Sequence, residues 1–125
     1  MTVVKEACVD NIQDAINAFK KGADRIEFCS NLDEEGLTPS NYDLISLKKS
    51  ISIPVRIMVR PHSNSFNYND YDLFQRKETI KFCKNQKFDG VVFGCLDDDN
   101  ELDLNKIKYL ADFAKPLNVI IHKAL

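Results

Sequence analysis

The sequence predicts an α/β protein on a TIM-type (β/α) barrel framework, represented by a half-barrel of about four βα units plus a fifth strand. Three observations predict it. Short β-like runs alternate with helical periodicity in the order βαβαβαβαβ, and connections this short imply parallel strands with right-handed crossovers. Charged or sulfur-bearing and apolar side chains alternate along Arg25-Ile26-Glu27-Phe28-Cys29. An open doubly wound sheet satisfies the same element order, but strands covered on both faces tend to be apolar throughout, so the alternation favours the barrel. Finally, ionisable and sulfur-bearing residues recur where strands run into the following loops, the usual place of reactive groups in barrels.

Val3 to Cys8 reads as the first strand. Asp10 or Asn11 caps a helix whose Ile12, Ala15, Ile16 and Phe19 recur at i, i+3, i+4 and i+7, and Gly22 is placed to end it. Arg25 to Cys29 is the second strand. Thr38 is then expected as an N-cap with Pro39 at the first helical position, and Leu44, Leu47 and Ile51 mark the buried stripe. Pro54 to Arg60 forms the third strand, and a polar loop leads to a helix with Leu73, Phe74, Ile80 and Cys83 on one side. Its Phe66 and Tyr68 suit either a lid or pins to the rim. Gly90 to Gly94 is the fourth strand, Asp103 caps a helix carrying Ile107, Leu110, Ala111 and Ala114, Pro116 stops it, and Leu117 to His122 is the fifth strand.

Composition narrows the function classes. The 125 residues are 44% hydrophobic and 29% charged, which suits one domain, residues 1–125, without a linker. Seventeen basic and 19 acidic residues spread along the chain leave no basic stripe for nucleic acid or an anionic membrane. No apolar run approaches a membrane span and MTVVKEACVD lacks the features of a signal peptide, so a cytoplasmic protein is expected. In a reducing compartment the four cysteines are not expected to form structural disulfides.

Side chains in strands alternate with period two, so Glu6 and Cys8 share one face, as do Arg25, Glu27 and Cys29. Strand three ends Arg60-Pro61-His62 and strand five ends His122-Lys123. Together they suggest one cation-rich pocket holding two carboxylates, able to bind a small anionic molecule through Arg25, Arg60, His62 and Lys123. Glu6, Glu27 and above all His122, whose imidazole titrates near neutrality, are the candidates for proton transfer. The helix start at Thr38 adds free N–H groups and a positive dipole end, although ordinary capping explains it equally well. The bland alternative is a set of salt bridges filling the barrel mouth.

The blocks GADRIEFCSNL, GLTPS, IPVRIMVRP, FDGVVFG and LNVIIHKA resemble, in order and spacing, those of the CutC family, named for copper homeostasis. The resemblance covers the whole chain and implies a cytosolic (β/α) barrel related to copper. The sequence departs from that pattern at Arg60-Pro61-His62-Ser63-Asn64, where the family usually has Arg-Pro-Arg-Gly-Gly, and at His122-Lys123-Ala124-Leu125, where it has His-Arg-Ala-Phe. The Gly-Gly-Leu-Thr-Pro-Ser block becomes Glu35-Gly36-Leu37-Thr38-Pro39-Ser40. A full barrel takes about 250 residues, so an N-terminal half is expected, with self-association through the open sheet edges.

Copper(I) is soft and prefers thiolate sulfur, and Cys8 and Cys29 end successive strands on one face. They are the expected copper(I) ligands under the resemblance, with buried apolar cysteines as the alternative. Cys95, after strand four, is a weaker third candidate, and Cys83 on a helix stripe is expected in the core.

Overall fold

The computed structural model describes residues 3–34, 36–62, 69–94, 101 and 103–121. Five strands form one sheet: β1 (Glu6–Val9), β2 (Arg25–Phe28), β3 (Val55–Met58), β4 (Gly90–Phe93) and β5 (Asn118–Ile121). Their spatial order is the chain order, and every neighbouring pair is parallel. Four helices connect them: α1 (Ile12–Lys20), α2 (Asn41–Ser50), α3 (Asp70–Asn85) and α4 (Leu104–Ala114). Sequential parallel strands joined by crossovers of one hand keep all helices on one side of the sheet, which is how a barrel wall is wound.

The packing bears this out. Ile26, Phe28, Val55, Ile57, Val59, Val91 and Phe93 join Ala15, Leu44, Leu47, Ile80, Cys83, Leu110 and Ala114 of the helices in the main core. The residues between them on the strands, Cys29, Met58 and Val92 with Ile120, form a separate small cluster on the opposite, inner face. The free sides of β1 and β5 carry no strand partner among the described residues.

Local chemistry explains most of the boundaries. Asn11 accepts the Asp14 N–H as the N-cap of α1, and Asp103 accepts the Lys106 N–H as that of α4, as the sequence predicts. In β4, a Cβ on Gly90 would sit 2.5 Å from the Asn118 carbonyl oxygen, so only glycine lets β5 pair this closely.

Two expectations need correction. Thr38 does not cap α2: Ser40 does, accepting the Asp43 N–H at 3.1 Å. Thr38 instead ties this loop to the end of β3, its Oγ1 accepting the Arg60 N–H at 2.7 Å and its own N–H donating to the Arg60 carbonyl at 3.0 Å. Phe74 is 58% exposed and lies off the buried stripe of α3, where Arg76 at 1% exposure takes a place beside Ile80 and Cys83. The Arg76 guanidinium reaches the carbonyls of Gly94 and Val59 and stands 5.6 Å from the Phe93 ring, so a charge is accommodated inside the helix layer.

Candidate functional site

The inner face of the sheet carries two layers of different chemistry. The lower one begins at the strand starts. Glu6 pairs in register with Arg25, and Cys8, Glu27, Arg56, Gly90 and Asn118 continue across the next level. The Glu6 carboxylate accepts from Arg25 Nε and lies 3.9 Å from an Arg56 nitrogen, while Arg56 Nε donates to Asp89 at 3.0 Å. Burial alone would raise the Glu6 carboxyl, but hydrogen bonds from Arg25 and Glu27 and the charges of Arg25 and Arg56 hold it below its ordinary value. Glu27 goes the other way. Burial, then the hydrogen bond with Glu6 and its charge, push Glu27 up, and Arg56 and Arg25 reverse only part of this. One proton is therefore held preferentially on Glu27 in a two-carboxylate pair.

The upper layer begins with sulfur. Cys29 is 1% exposed, directly after β2, and its thiol donates to the Val9 carbonyl at 3.5 Å. Cys8 lies diagonally below it on β1, exposed, and the two thiols are close enough to perturb one another's ionisation. Burial pushes Cys29 up to about 12, with contributions from Cys8, Asp10 and Glu27. Burial, then the charge of Glu27, raises Cys8, offset in part by the neighbouring Cys29 thiol. Both thiols are protonated at neutral pH, so a metal that binds them must displace protons. Cys83, also expected in the core, is there: buried, with its thiol pushed up to about 12.

Above the sulfurs, Arg60 is 4% exposed and donates to the carbonyls of Glu34 at 2.7 Å and Gly36 at 3.3 Å. Its guanidinium thus holds down the segment between β2 and α2, together with Thr38. His62 Nε2 lies 3.0 Å from Asp72 Oδ2, and Asp72 shares a capping box with Asn69 at the start of α3. That bond orients the imidazole at the strand-end side of the sheet.

The predicted site residues therefore share a face but not an end. Extrapolating the β2–β3 register sets Arg60 level with Asn31, six positions beyond Arg25, or roughly 20 Å along the strands. Glu6, Arg25 and Glu27 form one group at the strand starts; Arg60, Thr38 and His62 form another beyond the strand ends; Cys8 and Cys29 lie between. His122, Lys123, Cys95, Phe66 and Tyr68 lie outside the described residues.

Sequence reasoning passed over Arg56, Asp89, Met58, Asp72 and Arg76. Arg56 and Met58 were accessible to it: in VRIMVR, alternation puts Arg56, Met58 and Arg60 on one face opposite Val55, Ile57 and Val59. Away from the inner face, a cleft of about 420 Å³ lies between α3 and α4, lined by Leu73, Phe74, Lys77, Lys106 and Tyr109 among others. It is lined by residues of these two helices and by none of the inner-face groups. Among the described residues no group of three or more His, Cys, Asp or Glu is placed to hold a metal ion, and no helix is long and apolar enough to cross a membrane.

A sequentially wound parallel sheet, helices on one face and polar and sulfur-bearing groups on the other, makes this a partial (β/α) barrel. The model of the CutC family matches residues 3–125, and the chain belongs to that family. It is 42% identical over 119 residues to the human copper homeostasis protein cutC homolog, covering 95% of this chain and 44% of the relative. It is 38% identical over 129 residues to the homolog from Dictyostelium discoideum, covering 95% and 46%. It is 34% identical over 125 residues to a CutC family protein from Parabacteroides distasonis, covering 99% and 51%. A CutC crystal structure from Streptococcus agalactiae superposes with a TM-score of 0.90 at 29% identity, covering 98% of this chain and 60% of that one. The chain spans about half the length of the curated relatives it matches.

Proposed function

We propose that this chain handles copper(I) as cargo in the cytoplasm, binding it through Cys8 and Cys29. The observation that carries the reading is the placement of two free thiols on the inner face, Cys8 on β1 and Cys29 directly after β2, diagonal to one another in the register. Copper(I) is satisfied by few, soft ligands, so a pair of thiolates suffices where zinc would take four ligands. The names of the human and Dictyostelium relatives, which refer to copper homeostasis, point the same way. A reducing cytoplasm keeps the thiols available.

The enzymatic reading, a small anionic substrate anchored by Arg25 and Arg60 with Glu6, Glu27 or His122 moving a proton, draws less support. Arg25 is bonded to Glu6, and Arg60 and Thr38 bind backbone groups of the β2–α2 segment and the end of β3.

Titration with copper(I) under a competing chelator tests the leading reading. The wild-type chain is expected to bind with an affinity that rises with pH, because each coordinating thiol must lose its proton. A Cys8→Ser, Cys29→Ser double variant is expected to lose that binding; unchanged affinity would remove the proposal.

A further inference from the structure

We infer that Met58 supplies a third sulfur, its thioether, to the copper(I) held by Cys8 and Cys29; this rests on the two-thiol reading above and extends it. Met58 is the last residue of β3, and the register pairing Phe28 with Ile57 places Cys29 and Met58 next to each other on the inner face. Both are buried, at 1% and 3% exposure, in the same small cluster apart from the main core. Gly36 gives an independent measure of their proximity. A Cβ built on it would lie 3.3 Å from Cys29 Sγ and 3.6 Å from Met58 Cε, so the thiol and the thioether methyl border one small space. Three successive strands thus present Cys8, Cys29 and Met58 to the same side.

A buried methionine is ordinarily a flexible filler of core gaps. Two features favour ligation. A thioether is soft, which suits copper(I) over zinc. It is also neutral and carries no proton to displace, so it completes the coordination without adding negative charge.

The chain has two methionines, Met1 and Met58, so selenomethionine labelling reports almost directly on this position. X-ray absorption at the selenium edge of the labelled, copper(I)-loaded chain is expected to show a copper neighbour that disappears in Met58→Leu, a volume-conserving change. The same variant is expected to lose at least about tenfold in copper(I) affinity, since even outer-shell changes commonly cost 10–100-fold, while zinc affinity stays unchanged. A selenium spectrum without copper, or equal copper(I) affinity in Met58→Leu, overturns the role of Met58 while leaving the thiol pair intact. Parallel loss of copper and zinc affinity assigns Met58 to packing and also overturns it. Copper binding that survives in the double cysteine variant would sink the underlying reading instead.

Discussion

On the helix-covered side of the sheet, Ile26, Phe28, Val55, Ile57, Val59, Val91 and Phe93 are all at most 4% exposed and meet helix stripes that are apolar apart from Arg76 beside Val59 and Phe93. On the inner side the same strands present Glu6, Cys8, Arg25, Glu27, Arg56 and Met58. One side stabilises the fold by area removed from water. The other carries charge and sulfur, whose mutual arrangement costs desolvation and is maintained by pairing. The difference teaches where stability and chemistry separate in this chain: alternate residues of one four-residue strand belong to different tasks.

The largest expected effect lies on the helix side. Phe28→Ala should cost about 3–5 kcal/mol in urea unfolding, by lost transfer energy and the cavity left behind, a large part of the total stability of a small domain. If Phe28→Ala cost under about 1 kcal/mol, the helix side would not be the stabilising face.

Between the two tasks stands Gly36, which has φ +90° and faces Cys29 Sγ. Gly36→Ala should cost about 1–2 kcal/mol from the left-handed backbone alone. Its methyl also crowds the Cys29 thiol, so copper(I) affinity should fall with it. Full stability together with unaltered metal affinity would show that this loop does not bear on the sulfurs.

Much of this was legible in the sequence. The βα alternation gave the element order, period two gave the face of each strand residue, and Asn11 and Asp103 gave two helix starts. Alternation says which face a residue occupies but not how far along the strand it lies. With the first strand taken from Val3, Glu6 falls near its C-terminal end. Val3 and Val4 are in fact 73% and 55% exposed, Lys5 N–H donates to the Asp24 carboxylate at 2.9 Å, and β1 begins at Glu6. That shift moves Glu6 to a strand start, in register with Arg25 at the start of β2. Thr38 is not the cap although Thr38 and Ser40, two residues apart, are both N-cap types; the contact with Arg60 that engages Thr38 instead is 22 residues away in sequence. Arg76 was hidden by its charge, since its place in the α3 stripe depends on the Gly94 and Val59 carbonyls it meets.

The smallest expected effect sharpens the inner side of the comparison. Glu27, raised by burial and by Glu6, holds its proton more tightly in the folded chain than in the unfolded one. It therefore favours folding in acid, and that contribution disappears as pH rises through its folded value. Glu6, held low, does the opposite: its contribution is present above its ordinary range and is lost as pH falls through its folded value. The two partly cancel, so acid unfolding reports little on the pair until one member is fixed. Glu27→Gln fixes it. The amide cannot ionise, yet its N–H can still donate to Glu6, and Arg56 keeps Asp89 at 3.0 Å. Because these groups are partly exposed, the variant should be more stable than wild type by no more than about 1 kcal/mol at neutral pH. The gain should fade as pH drops below the folded value of Glu27, where the wild-type carboxyl is protonated as well. Stability curves of the two proteins across pH 4 to 8 would decide it: a neutral-pH loss for Glu27→Gln would mean that the Glu27 charge, and not its proton, is what holds Arg25 and Arg56 in place.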